Sequence, residues 1–228
     1  ISTSSQPTLT PESLTMIYEE RRITLKRGQI DSFIAQFKES TLPAIRSHGG
    51  ETLCTLSGLI GDPPEEIIQV TAYPDVATWT DAQDAFGTSR MDDIDAEAVR
   101  LLKPIAYRPK ETIPDEDLRG FYGHRRFFIS SDDLDEFVHC SENGIWPRIE
   151  AQDARIMGLW TTVASTTPQE VVLLTGYHGP AHWEETRALG DRPQQIDPDI
   201  WNRGRELGQR RRDMTVKSWV RLMRRLEV

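Results

Sequence analysis

Little in this sequence of 228 residues points to a standard chemistry. It has two cysteines, Cys54 and Cys140. These are too few for a disulfide scaffold or a structural zinc site, and both are expected to stay reduced in a cytoplasmic setting. Basic residues number 27 against 36 acidic ones, a net charge of −9. That balance counts against nucleic acid as a partner, which requires a basic footprint. No apolar run approaches the ~20 residues of a membrane span. The patterns GxGxxG, Walker A, GxSxG, EF-hand and HExxH are all missing, so no phosphate cradle, nucleophile elbow or metal site is announced. Ile1 to Glu12 is rich in Ser, Thr and Pro without an apolar stretch. It does not read as a signal peptide. With no initiator Met, the start reads as processed or trimmed, and residues 1–15 as a mobile arm.

What is present is a globular composition, with 37% hydrophobic residues and a mean hydropathy of −0.51, enough for a core. The chain also repeats itself. A shift of 104 residues aligns Tyr18 to Trp79 with Tyr122 to Trp183 without a gap. Thirteen of 62 positions are identical, among them Tyr18/Tyr122, Arg21/Arg125, Arg22/Arg126, Phe33/Phe137, Pro43/Pro147, Tyr73/Tyr177 and Trp79/Trp183. Chance would give about four at ordinary residue frequencies, so the chain is two copies of one unit. The arrangement predicted is a first unit over 16–108, a linker over 109–120 (PKETIPDEDLRG) and a second unit over 121–228.

Each copy opens on a strand, 16–25 or 121–129, rich in β-branched and aromatic residues. A helix follows, with Ile30, Phe33, Ile34 and Phe37, or Leu134, Phe137 and Val138, at helical spacing. Pro43 and Pro147 should kink or end these helices. Two strands come next, 52–60 with 66–73 and 156–164 with 170–177. A second helical stretch containing Trp79 or Trp183 continues in some form through 88–103 and 199–213. A last strand is expected near 104–108 and 214–223. The order β-α-β-β-α-β is the ferredoxin-like unit. The fold class is therefore α+β. An antiparallel sheet with helices on one face must cover its other face, so the two units are expected to pack sheet to sheet as a barrel-like pseudo-dimer. One chain would then supply both halves. Further self-association, a homodimer for example, would use outer edges or helices.

Alternation along the first strand decides what meets between the sheets. Ile17, Ile23 and Leu25 should face the helices. Tyr18, Glu20, Arg22 and Thr24 should face the other sheet, as should Tyr122, His124, Arg126 and Phe128. Buried charges need partners, and Glu20 with Arg126, or Arg22 with a carboxylate, would serve.

The stretches YEERRITLKRGQIDSFIAQF, LPAIRSHGG and EEIIQVTAY resemble the NIPSNAP family of the dimeric α+β barrel superfamily. HRRFFISSDDLDEF, IWPRIEAQ and QEVVLLTGYHGPAHW repeat the motif with more drift. The superfamily includes cofactor-free monooxygenases, haem enzymes, lactone isomerases and proteins with no known reaction. The resemblance therefore implies the fold firmly and the chemistry only loosely. Lys26, Arg27 and Gly28 are replaced by Ser130, Ser131 and Asp132, so the halves have diverged and one of them can hold a site the other lacks.

His124 and Glu20 occupy equivalent positions in the two copies. Near a pseudo-twofold axis they could meet as a carboxylate–imidazole general base. Arg22 and Arg126 would then stabilise an oxyanion or enolate. These four are the expected catalytic residues. Against this stands an ordinary polar bridge that docks the two sheets. Trp146, Trp160 and His178 lack counterparts and are expected at a ligand pocket. Tyr73 and Tyr177, which end the third strands, read first as packing rings and second as pocket lining. No metal site is expected. Haem, through His178, His182 or His139, is the weaker cofactor alternative to none. The basic run Arg210 to Arg212 is expected as a solvated helix face or a contact to the acidic segment 92–97. The function that follows is an enzyme using acid–base chemistry on a small apolar or aromatic molecule, as isomerase, cyclase, lyase or cofactor-free oxygenase. The competing class is a ligand-binding or protein-interaction module without catalysis.

Overall fold

Eight strands carry the architecture of the computed structural model, which describes residues 16–86, 92–110, 113–164, 166–187 and 190–228. The arm 1–15 lies outside the described residues, as do 88–91 of the expected second helical stretch. The first half runs β1 (Ile17–Leu25), α1 (Ile30–Gln36), α2 (Leu42–Ser47), β2 (Glu51–Ile60), β3 (Glu66–Tyr73), α3 (Val76–Phe86) and β4 (Ile94–Pro104). The second runs β5 (Phe121–Ile129), α4 (Leu134–Cys140), α5 (Trp146–Glu150), β6 (Arg155–Thr162), β7 (Gln169–Tyr177), α6 (Pro180–Glu185), α7 (Pro198–Asp213) and β8 (Thr215–Arg225). The halves are ferredoxin-like antiparallel sheets, and together they close into one barrel of order β1-β3-β2-β8-β5-β7-β6-β4.

Closure happens at the edges. β2 meets β8 from Leu56–Arg225 to Ile60–Leu222, and β4 meets β6 from Leu102–Thr162 to Pro104–Trp160. The inter-sheet face is thus the barrel interior. The outer edges expected to mediate self-association are used up in closing it, which leaves the helical faces.

The alternation holds. Tyr18, Leu56, Ile68, Val70, Leu102, Tyr122, Trp160, Val172, Leu174 and Met223 fill the barrel. Ile23, Leu25 and Ile67 pack under Phe33 and Phe37 of the first helical layer. Phe127, Ile129 and Leu173 pack under Phe137, Ile145 and Trp146 of the second. At ~25 cal/mol per Å² of apolar surface, three such clusters dominate the stabilisation of the fold.

Two expectations need correction. Pro43 and Pro147 do not end their helices. In each half a π-helical turn, Phe37–Thr41 or Ser141–Ile145, precedes the proline, which then sits in the first turn of α2 or α5. The wider turn and the N-terminal position make the missing N–H cheap. The second helical stretch of the first half does not persist either: residues 94–104 are strand β4. The halves keep their 104-residue offset through α3 and α6. β8 then begins 121 residues after β4, because α7 is present in the second half alone among the described residues.

That extra helix is well specified. Asp197 caps it, accepting from the backbone N–H groups of Asp199 and Ile200 at 2.7 and 3.3 Å, and Pro198 opens it, a strong start signal. The lack of a side chain at Gly144 lets α7 seat on the π-turn, since a Cβ there would lie 2.5 Å from Leu207 Cβ.

Candidate active site between the second sheet and its helices

The strand residues expected at the active centre form an ion-pair chain inside the barrel. His124 Nε2 lies 2.8 Å from Glu20 Oε2, and both residues are buried. Arg100 of β4 bridges Glu20 to Glu170 of β7, with Nη1 at 2.6 Å from Glu170 Oε1. Glu170 also takes both prongs of Arg126. The expected Glu20–Arg126 pair is therefore replaced by Glu20–His124 and Arg126–Glu170. Arg22 stands apart, donating to Glu66 at 2.5 Å and Asp62 at 3.2 Å, with 41% of its side chain exposed. Burial would raise the Glu20 carboxyl, but His124 and Arg100 outweigh it and hold the group well below the usual carboxylate range.

A cavity opens on the other face of β5. It measures about 660 Å³ and lies between β5, β7 and β8 on one side and α5, α6 and α7 on the other. Alternation forces this separation: His124 and Arg126 point into the barrel while Gly123, Arg125 and Phe127 line the cavity. None of His124, Glu20, Arg22 and Arg126 lines it.

Of the residues expected at a ligand pocket, Tyr177 alone lines the cavity. Its hydroxyl is pushed upward by burial, against hydrogen bonds from the Thr175 and Thr186 side chains and the field of Arg125. Trp146 is fully buried behind the wall, with Tyr107 edge-on at 5.4 Å. Trp160 is in the barrel core, 5.5 Å from the Tyr18 ring. Tyr73 is buried under α3 in the other half. His178 is at the surface, 2.5 Å from Asp153 and more than half exposed. A large indole without a counterpart turned out to fill core volume that the other copy fills differently, which the sequence alone does not separate from pocket lining.

The basic run is a solvated helix face in part, with Arg210 and Arg212 exposed on α7, and no contact to segment 92–97 is seen among the described residues. Arg210 pairs with Glu136, and Arg211 turns into the cavity. The Arg211 guanidinium sits 4.8 Å from the Phe127 ring centre and 5.3 Å from that of Phe137, and it donates to Ser141 Oγ at 3.1 Å. Arg125 approaches Phe127 at 5.7 Å. Arg148 of α5 is buried, donates to the Thr186 carbonyl at 2.9 Å, and leaves its Nε without a partner. Burial and the nearby Arg125 pull Arg211 down to about 9, and burial pulls Arg148 to about 10. Both remain charged at neutral pH. Seven cationic side chains and no carboxylate, histidine or cysteine line the described wall. The apolar part of the wall includes Phe127, Ile145, Ile149, Leu173 and Trp183.

The three histidines weighed as haem ligands lie outside the cavity. His178 is held by Asp153, His182 by the Gln152 carbonyl, and His139 lies on the exposed face near Asn143. Among the described residues no three His, Cys, Asp or Glu side chains cluster as a metal site.

Comparison with known proteins supports this architecture. A proposed monooxygenase of Lactobacillus acidophilus superposes over 92% of this chain and 94% of its own, with a TM-score of 0.64 at 13% identity. An anthrone oxidase-like protein matches over 93% and 92%, with a TM-score of 0.54 at 8% identity. Both share the whole two-unit barrel. A NIPSNAP family protein of Agrobacterium tumefaciens covers 42% of this chain and 94% of its own, at 23% identity and a TM-score of 0.37. No family model matches the sequence, and no curated protein matches it. No described helix is long and apolar enough to cross a membrane.

Proposed function

We propose that the chain is a small-molecule enzyme whose active site is the cavity of its second half, working without metal or organic cofactor. The observation that carries this reading is the cavity itself: about 660 Å³, with an apolar floor and convergent polar groups, the usual make-up of a small-molecule site. The buried Tyr177 hydroxyl, kept protonated at neutral pH, is the proton donor. Arg125 and Arg211 stabilise oxygen-centred negative charge as it develops. Such a wall suits isomerisation, cyclisation, elimination or direct reaction with O₂, in which the substrate supplies the reacting electrons. The whole-chain likeness to a proposed monooxygenase agrees with that class. Glu20, His124, Arg126 and Arg22 are assigned to fastening the barrel. Cys54 and Cys140, free and buried, fit a reducing, cytoplasmic compartment.

The test is a thermal-shift screen of small aromatic and polycyclic molecules, run in parallel on Gly208→Leu. Gly208 faces the cavity, with the nearest foreign atom 3.7 Å from its would-be Cβ, so a leucine there fills the space. Ligands of the site stabilise the parent and not the variant. Hits are then incubated in air and under nitrogen, with products read by mass spectrometry. Tyr177→Phe should retain binding and lower turnover about 10²-fold, while His124→Ala should leave turnover per folded molecule unchanged. If Gly208→Leu leaves every ligand shift intact, the cavity is not the site. If ligands bind and nothing is converted, the protein is a binding module.

A further inference from the structure

The internal repeat allows each half to be compared with the other atom by atom. In the first half Glu19 is buried at the position equivalent to Gly123. Its carboxylate accepts from Arg21 Nε at 2.6 Å, Trp79 Nε1 at 2.7 Å and Gln83 Nε2 at 2.9 Å. Arg21 gains a second acid in Glu97 at 2.8 Å. This side of the first sheet is thus filled and neutralised by the chain itself.

At the 104-residue offset the three donors become Arg125, Trp183 and Arg187, and all three line the cavity. The acceptor has gone, because Gly123 has no side chain. Arg125 makes no ion pair among the described residues, and its guanidinium lies over the Phe127 ring. The second half adds Arg148 and Arg211, neither of which pairs with a carboxylate. An unpaired buried guanidinium is costly, and two more in the same wall add mutual repulsion.

We infer that the second-half cavity binds an organic anion, a carboxylate or phosphate on an apolar body, with its charged oxygens where the Glu19 carboxylate lies in the first half. The oxygens take Arg125 and Arg211 as forked donors, which suit both carboxylate and phosphate. The apolar body lies along Ile145, Ile149 and Leu173. This deepens the functional reading above and rests on the same cavity.

Calorimetric titration of 2-naphthoate, 2-naphthyl phosphate and neutral 2-naphthylmethanol, which share one ring system, tests the inference. At least one anion should bind the parent tenfold or more tightly than the alcohol, and the tighter of the two assigns the headgroup. In Arg125→Leu the preference should fall below about threefold, with alcohol binding retained. Gly123→Glu rebuilds the first-half arrangement and should abolish anion binding while raising Tm. Its Cβ would lie 3.2 Å from Tyr177 Cε2, a contact that a small ring shift relieves. Should that variant not fold, Arg125→Leu still decides. Equal binding of the alcohol and both anions, or an undiminished preference in Arg125→Leu, overturns the anion site and leaves the cavity standing. Binding of none of the three at millimolar concentration overturns both. Anion preference without turnover of any substrate upholds the site and refutes only the enzyme.

Discussion

Replacing Glu20 with alanine tests whether the chain inside the barrel is structural. Glu20 comes from β1 and is 4% exposed, and its two oxygens hold His124 of β5 and Arg100 of β4. The bond to His124 crosses from one half to the other. Removal leaves a buried imidazole with both nitrogens unpartnered, since Nδ1 already lacks a partner. Arg100 keeps Glu170, so only one group is orphaned. Breaking a buried pair costs about 3–5 kcal/mol. With Arg100 still satisfied, about 3 kcal/mol is expected here, or roughly a 6–12 °C fall in Tm for a chain of this size. The comparison is Arg22→Ala in the same barrel, where 41% exposure of the arginine predicts less than about 1 kcal/mol. The assay is urea denaturation followed by tryptophan fluorescence, at neutral pH and in acid. The Glu20 carboxyl is depressed in the folded state, so its contribution is complete above the ordinary carboxylate range and is lost as pH falls. The gap between parent and Glu20→Ala should therefore narrow by up to about 1.4 kcal/mol per pH unit below ~4.3. A gap under 1 kcal/mol at neutral pH, or one that persists unchanged to pH 2.5, would refute the reasoning.

Further substitutions separate the parts of the cavity. Gly208→Ala should stabilise by about 0.5–1 kcal/mol in chemical denaturation, because its Cβ meets only ordinary contacts at 3.7 Å in the middle of a helix. Gly204→Ala, one turn earlier, should do the opposite and weaken anion binding as well, since its Cβ would lie 2.6 Å from Arg148 Cβ. Burial raises the thiols of Cys54 and Cys140 to about 12 and about 11, so neither should react with a chromogenic disulfide at pH 8 in the native protein, and both should in guanidinium. Arg211→Met removes a charge that no acid neutralises. It should leave Tm level or higher by a few degrees while weakening 2-naphthoate or 2-naphthyl phosphate, and a clear loss of stability would mean that its contacts with Phe127 and Phe137 outweigh its desolvation.

The fold was legible because it rests on repetition and alternation. The 104-residue offset and the two-residue period of β1 and β5 placed Tyr18, Glu20, Tyr122 and His124 on one face, and the barrel interior holds them there. Local signals misled where tertiary context changed their meaning. Pro43 reads as a kink or a stop, and it marks a π-turn that carries the chain on into α2. Residues 94–103 read as a continuation of the second helical stretch, and instead form β4, which pairs with β1 and reaches β6. The cavity of the second half was not legible for a related reason. Histidine beside glutamate attracts attention as a general base, while arginines on the neighbouring positions look like ordinary strand polarity. Arg125 was visible as the repeat mate of Arg21. What single residues did not show was that its acid, Glu19, had become Gly123, nor that α7, which has no counterpart, would bring Arg211 over the gap.

That difference gives the divergence of the halves a physical sense. A twofold barrel built from identical units would present two equal spaces between sheet and helices. In the first half the space is closed from within: Glu19 neutralises Arg21, binds Trp79 and Gln83, and is sealed from water. Such a cluster is satisfied and needs nothing further. In the second half a single change to glycine removes the internal anion and opens volume at the same point, while an added helix roofs that volume and contributes another cation. In the barrel interior between them an ion-pair chain runs through Glu20, His124, Arg100, Glu170 and Arg126, which ties the two sheets to each other. The unsatisfied half is thereby held rigid by the satisfied one, the condition under which a set of unpaired guanidiniums can be kept in place for a ligand rather than collapsing onto the nearest carboxylate.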